Sequence, residues 1–184
     1  MSLFPVHSIE SAPAQARQTL EAVVSAYGFV PNLLGVMAAS PAAAEAYLAL
    51  SGIFEKKTSL TPTERQIVLL TVSRYHECHY CMAAHSMISA MQKIPAEITD
   101  AIRRNRPIAD VKLEALRRLV TAIVEHRGRP SEQELRAFYD AGYKPAQVLD
   151  VLVGVTQKTL SNYTNHIADT PLDASMEPYA WSPR

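Results

Sequence analysis

The sequence predicts an all-α protein, a multi-helix bundle. Apolar residues recur at spacings of three and four along most of the chain, the period that lines one face of a helix. Proline, glycine, capping residues and capping boxes divide the chain into segments of helical length. No segment shows the alternation of apolar and polar residues that marks a half-buried strand. The length of 184 residues fits one domain, residues 1–184, with enough chain to bury a core.

A first helix is predicted from Pro13 to Tyr27, with Leu20, Val23 and Val24 on its apolar side and Gly28 as its stop. After Val30-Pro31-Asn32, a short apolar helix runs from Leu33 to Ala39. Ser40-Pro41 supplies an N-cap and a first-turn proline for a helix reaching about Lys56. Thr61-Pro62-Thr63-Glu64 is a capping box. The helix it opens, Pro62 to about Tyr75, is almost wholly apolar and is expected to be buried. A short connection through His76 and Glu77 leads to a helix from about Cys78 to Gln92.

Pro95 opens the next helix, which ends near Asn105-Arg106-Pro107. Asp110 is the expected cap of a helix carrying Leu113, Leu116, Leu119, Val120, Ile123 and Val124 before Gly128. Ser131-Glu132-Gln133-Glu134 is a second capping box, for a helix that stops at Gly142. The last and longest helix runs from Pro145 to about Ala168. From Pro171 onward the tail is expected to be irregular.

Charge and composition exclude several functions. Eighteen basic and eighteen acidic residues leave a formal charge of zero, and the basic ones are scattered. Neither nucleic acid nor an anionic membrane is an expected partner. No apolar run approaches the ~18 residues that a membrane span requires. Met1 to Ala12 carries neither the basic nor the apolar region of a signal peptide. A cytoplasmic location is therefore expected, where two close cysteines are more often reactive or metal-bound than a structural disulfide.

The chemistry concentrates in Glu77-Cys78-His79-Tyr80-Cys81-Met82-Ala83-Ala84-His85, which holds both cysteines of the chain. On a helix, Cys78, Cys81 and His85 share one face. Two thiols and an imidazole together make a dithiol redox centre or a metal site. A Cys₂His₂ site would have to recruit His76 or His79, and zinc sites of that type place their ligand pairs across a loop. Three ligands on one helical face do not, so no metal is expected. In a redox centre, unpaired N–H groups and the helix dipole lower the pKa of a first-turn thiol. A sulfenic acid formed on one sulfur then condenses with its neighbour to a disulfide. Dipole logic alone favours Cys78 as the attacking sulfur, because it lies nearer the helix start.

Other polar residues have plainer readings. Tyr80 packs, with a hydroxyl that can line a pocket. His126 serves a helix C-terminus, His166 is structural, and Met82, Met87 and Met91 fill the core.

The block from Leu60-Thr61-Pro62-Thr63-Glu64-Arg65-Gln66 through Cys78-His79-Tyr80-Cys81-Met82-Ala83-Ala84-His85 resembles a known core. It is that of the alkylhydroperoxidase AhpD / carboxymuconolactone decarboxylase superfamily, whose hallmark is C-x-x-C-x-x-x-H after an apolar helix. Gly28-Phe29-Val30-Pro31-Asn32-Leu33, Ser40-Pro41 and Asn165-His166-Ile167-Ala168 match the flanks of its peroxidase-related branch. The core motif spans about residues 60–92.

The resemblance implies an AhpD-like helical bundle and a thiol-dependent peroxidase or disulfide oxidoreductase acting on small hydroperoxides. A protein thiol would be the reductant and no cofactor would be bound; a homo-oligomer is expected. It also reverses the dipole assignment: Cys81 is the sulfur oxidised, and Cys78 is the proton donor and resolving thiol. His85, one turn beyond Cys81, is placed to orient or deprotonate it.

The sequence departs from the family at one position. Where redox-active members carry a relay glutamate, twelve residues before the first cysteine, this chain has Gln66. Glu64 is occupied by its capping box, which leaves Glu77 as a candidate replacement. Two further functions remain open. One is a helical binding or assembly module with a vestigial site. The other is a decarboxylase-like enzyme acting on a lactone, against which the cysteine pair argues.

Mild oxidation is expected to join Cys78 to Cys81 within one chain. Mass spectrometry of an unreduced tryptic digest should then find a single peptide lacking two hydrogens. Intermolecular disulfides alone, or sulfinic acid on one cysteine alone, would contradict a dithiol mechanism.

Overall fold

A computed structural model describes residues 3–183; Met1, Ser2 and Arg184, the ends of the expected 1–184 domain, lie outside them. Among the described residues nine α-helices run in chain order: α1 (Ala14–Tyr27), α2 (Asn32–Met37), α3 (Pro41–Lys57), α4 (Pro62–Tyr75), α5 (His79–Met91), α6 (Ala96–Arg103), α7 (Val111–Glu125), α8 (Glu132–Asp140) and α9 (Pro145–Ala168). A 3₁₀ helix, Ala174–Tyr179, follows. Among the described residues there is no strand, and no helix is long and apolar enough to cross a membrane.

The caps account for most boundaries. Thr61 Oγ1 accepts from Glu64 N at 3.2 Å while Glu64 Oε2 accepts from Thr61 N at 2.8 Å, closing the predicted capping box. Ser131 and Glu134 do the same for α8, and Asp110 Oδ1 accepts from Leu113 N at 2.9 Å to start α7. Gly28 ends α1 in the left-handed region, with φ of 82°, and its N–H donates to the Val24 carbonyl. Ser40 occupies the N-cap of α3, but its side chain makes no capping hydrogen bond. Pro41 has no N–H to satisfy there.

Helix α4 is the hub. Every residue from Gln66 to Ser73 is buried, and the helix packs against α5, α6, α7 and α9. An amphipathic stripe would be useless in such a position, which is why α4 is apolar almost all round. Helix α9 crosses both α3 and α4, and the approach is close because Gly154 has no side chain. A Cβ there would lie 2.6 Å from Phe54 Cζ and 2.8 Å from Val68 Cγ1. Beyond that crossing, the buried face of α9 turns polar: Gln157, Lys158, Ser161, Asn162 and Asn165. This stripe lies over the start of α5.

The tail is not irregular throughout. Asp169 ends α9 with φ of 48°, and the following chain returns across α5 as a strap containing the 3₁₀ helix. Its fixings are long-range. Tyr80 Oη donates to Asp173, Asn32 N donates to Asp173 Oδ1 at 3.1 Å, and Asn32 Nδ2 donates to the Pro171 carbonyl at 3.1 Å. Arg103 donates to the carbonyls of Tyr179 and Ala180 at 3.0 and 2.9 Å. Trp181 Nε1 donates back to the Arg103 carbonyl at 3.1 Å. Partners this far away in sequence leave no local pattern in the tail, so periodicity misses the element.

Gly154→Ala should destabilise the protein by about 1–3 kcal/mol, the usual cost of overpacking a filled core. Denaturant unfolding would show a lower midpoint at unchanged slope. An unchanged midpoint would mean that α9 can move away from Phe54 at no cost.

Candidate functional site

The connection between α4 and α5 is a sharp reversal. His76 closes α4, Glu77 adopts φ of 55°, and Cys78 returns to extended backbone as the N-cap of α5. The Cys78 N–H donates to the Ser73 carbonyl at 2.9 Å, which draws the turn under the end of α4. Helix α5 thus starts one residue later than its sequence suggested. Cys78 flanks the first turn and Cys81 sits inside it. Both sulfur-bearing residues are 1% exposed.

The polar face of α9 meets them. Asn165 Nδ2 donates to Cys81 Sγ at 3.2 Å and approaches Cys78 Sγ at 3.8 Å. Ser161 Oγ lies 3.8 Å from Cys81 Sγ, and Asn162 Nδ2 donates to Ser73 Oγ at 3.4 Å. Asn162 Oδ1 is 3.0 Å from His76 Nδ1. Lys158, 1% exposed, lies close enough for Cys81 to favour its charge and places Nζ 2.7 Å from His85 Nε2. On its other side, His85 Nδ1 is 2.9 Å from Gln66 Oε1.

Donor and acceptor chemistry fixes the state of His85. An ammonium can only donate and a carboxamide oxygen can only accept. Nε2 must therefore be the bare nitrogen that accepts from Lys158, and Nδ1 must carry the hydrogen given to Gln66. The imidazole is neutral. Burial and the adjacent Lys158 charge both hold its pKa well below the ordinary histidine value.

The thiols are driven apart. Burial by itself would raise Cys81, but the hydrogen bond from Cys78, the Lys158 charge and the Ser161 and Asn162 side chains outweigh it. The Cys81 pKa ends well below that of an ordinary thiol. Cys78 moves up, first because it gives its hydrogen to Cys81, then because it is buried and faces a neighbouring negative charge. Lys158 is also raised: burial opposes its charge, but Cys81, Tyr47 and Cys78 favour it more strongly. These shifts favour negative charge on Cys81, the hydrogen on Cys78 and positive charge on Lys158. The dipole argument that favoured Cys78 is opposed by the hydrogen bond from Cys78 and the Lys158 charge, which act directly on Cys81.

Of the residues singled out in the sequence, Cys78, Cys81, His85 and Gln66 come together. His85 does so with both ring nitrogens engaged by Lys158 and Gln66 rather than by a sulfur. Glu77 does not join them: its side chain is 59% exposed and lies 3.9 Å from Arg74. Glu64 keeps to its capping box, with Lys112 Nζ 4.0 Å away. His79 is exposed and holds the Trp181 carbonyl, Tyr80 anchors the strap, and His166 is exposed.

Sequence patterning does not single out Lys158, Asn162 and Asn165 as site residues. A signal is nonetheless present: 158, 161, 162 and 165 fall at steps of three, four and seven, a polar face on an otherwise apolar helix. Among the described residues, no three His, Cys, Asp or Glu side chains are arranged to hold a metal ion. Two surface grooves, about 390 Å³ between α1 and α3 and about 550 Å³ beside α7, α8 and α9, include none of the dithiol residues.

Residues 41–122 match the Carboxymuconolactone decarboxylase family. No curated protein matches the chain. Several solved structures share its fold. One is an alkylhydroperoxidase AhpD core protein, an uncharacterized peroxidase-related protein from Ralstonia eutropha JMP134. It is 22% identical, with a TM-score of 0.76 over 95% of this chain and 94% of that one. A peroxidase-related protein from Silicibacter sp. TM1040 is 16% identical, with a TM-score of 0.76 over 95% and 92% of the two chains. The debrominase Bmp8, as a cysteine-to-alanine variant in complex with 2,3,4-tribromopyrrole, is 14% identical, with a TM-score of 0.81 over 97% and 96%.

The charge pair has a readable pH signature. Cys81 is depressed on folding, so its contribution to stability is complete above the ordinary thiol pKa and is lost as pH falls through the folded value. Lys158 is raised, so its contribution is complete below the ordinary lysine pKa and is lost as pH rises through the folded value. Ultraviolet thiolate absorbance should therefore be present in native protein at neutral pH, and Lys158→Met should remove it. Equal absorbance in the two proteins would separate Lys158 from the ionisation of Cys81.

Proposed function

We propose that the chain, whose residues 41–122 match the Carboxymuconolactone decarboxylase family, is a thiol-dependent peroxidase or disulfide oxidoreductase acting on small hydroperoxides. One observation carries this: two buried cysteine sulfurs share the Asn165 Nδ2 donor, at 3.2 Å from Cys81 and 3.8 Å from Cys78, and their surroundings push the Cys81 pKa down and the Cys78 pKa up. A peroxide consumes such a pair in order.

Cys81 Sγ attacks one peroxide oxygen and the O–O bond breaks, leaving a sulfenic acid on Cys81 and an alkoxide. The alkoxide takes the Cys78 proton and leaves as an alcohol. The new Cys78 thiolate attacks Cys81 Sγ and expels hydroxide, which takes a proton from Lys158 and leaves as water. A disulfide remains. A protein dithiol then returns two electrons and two protons, restoring the Cys78 thiol, the Cys81 thiolate and the Lys158 ammonium. Lys158 holds the charge of the thiolate before attack, while His85 and Gln66 hold Lys158 in place.

Stopped-flow mixing of reduced protein with an organic hydroperoxide tests this. Sulfenate should appear first and disulfide second. Cys81→Ser should abolish both phases, and Cys78→Ser should stop at sulfenate and then over-oxidise. Loss of the first phase in Cys78→Ser alone would exchange the two roles, and no reaction in native protein would remove the peroxidase reading.

Gln66 tests the departure from the family. Its amide holds His85 but can neither take nor give a proton near neutral pH. General acid–base groups contribute about 10²–10⁴-fold. Gln66→Glu is nearly isosteric and should raise the hydroperoxide rate by at least about tenfold, near the foot of that range. Burial raises the new carboxyl's pKa, so the gain should appear only as pH rises through it. A rate that stays at the native value across the pH range would show that the position needs no carboxylate.

A further inference from the structure

The side chains packed around Cys81 are rich in donors. Lys158 can only donate, Asn165 Nδ2 donates, and Asn162 has its carboxamide oxygen on His76. Donors suit a thiolate and the oxygen that leaves a peroxide. A hydroperoxide also carries an O–H of its own, and that proton needs an acceptor.

One acceptor at the sulfurs is unengaged. Asn165 is 5% exposed, and its Oδ1 is buried without a hydrogen-bond partner. A thiolate accepts hydrogen bonds, so the amide must turn its NH₂ toward Cys81. That choice turns Oδ1 away from the sulfur, at the other corner of the same small carboxamide, where it has no partner. Buried polar atoms in folded proteins are nearly always paired, and an unpaired one calls for an explanation.

Resting on the peroxidase reading above, we infer that Asn165 is a substrate-binding residue, whose Nδ2 holds Cys81 Sγ while its free Oδ1 accepts the O–H of an incoming hydroperoxide. The two contacts sit on one rigid carboxamide. Fixing the sulfur and fixing the terminal peroxide oxygen are therefore one act, and the O–O bond is presented to the thiolate in a single orientation. The site then favours oxidants carrying a hydrogen-bond donor over equally small electrophiles that lack one.

The test compares two reagents on the reduced protein. Hydrogen peroxide carries O–H groups; methyl methanethiosulfonate is also a small thiol reagent but has none. Rates are divided by the thiolate fraction read from ultraviolet absorbance, so that any effect on Cys81 ionisation cancels. Asn165→Leu should lower the peroxide rate relative to the methanethiosulfonate rate by about tenfold to a hundredfold, the range for an unmet hydrogen bond in a buried site. Asn165→Asp keeps an acceptor oxygen and loses the donor. Its thiolate should form only at higher pH, while its ratio of the two rates remains close to native. This second variant also keeps the side-chain volume if leucine disturbs folding. A native ratio in Asn165→Leu, or a ratio in Asn165→Asp as low as that expected for leucine, overturns the inference and leaves the peroxidase reading standing. Native protein that reacts with methanethiosulfonate but not with peroxide overturns both.

Discussion

A lysine ammonium sealed inside an apolar bundle is the constraint on which the site depends. Burying an isolated charge costs several kcal/mol even after relaxation, and Lys158 is 1% exposed. It persists because the cysteine sulfurs favour its charge and a bare imidazole nitrogen accepts one of its hydrogens. Each partner needs the others in a particular state. Were His85 protonated, it would repel the ammonium; were Cys81 protonated, the ammonium would lose its counter-charge. The protonation pattern of the site is thus a condition of its folding as well as of its chemistry.

Helix α9 connects that condition to the rest of the molecule. At Gly154 it meets Phe54 and Val68 at distances that exclude a side chain, which sets its depth against α3 and α4. Lys158 follows four residues later on the same face, and Asn165 seven residues after that. A helix rises about 1.5 Å per residue, so the depth fixed at the glycine is carried along a rigid rod to the sulfurs. An apolar contact remote from the cysteines thereby decides where the donors around them lie.

The sequence exposed what was local and hid what was relational. The nine α-helices were legible because caps and periodicity act within a few residues; α9 runs from Pro145 to Ala168 as its pattern indicates. The C-x-x-C-x-x-x-H run disclosed two thiols and an imidazole on one face, and counting back identified Gln66, which the fold does bring to His85. Lys158 and Asn165 escape such a reading because each is an ordinary polar residue until the bundle closes. A buried lysine has no signature apart from the partners that make its burial tolerable. Glu77 was a reasonable candidate by adjacency to Cys78, but its left-handed backbone swings the side chain out toward Arg74. The dipole argument for Cys78 is incomplete for a related reason. It weighed one element's field and omitted the charge supplied by another.

The strap across α5 has a kinetic meaning. Cys78 and Cys81 belong to the same packed cluster as Met176 of the 3₁₀ helix, and Tyr80, between the two cysteines in sequence, anchors that segment through Asp173. A reagent too large to diffuse through packed side chains reaches sulfur only in the fraction of molecules whose cover has opened. Its observed rate is then its intrinsic rate multiplied by that fraction. Thiol reactivity plotted against reagent size is consequently a measure of local breathing at the strap, and it would report loosening of Asp173 or Trp181 before any change in global melting.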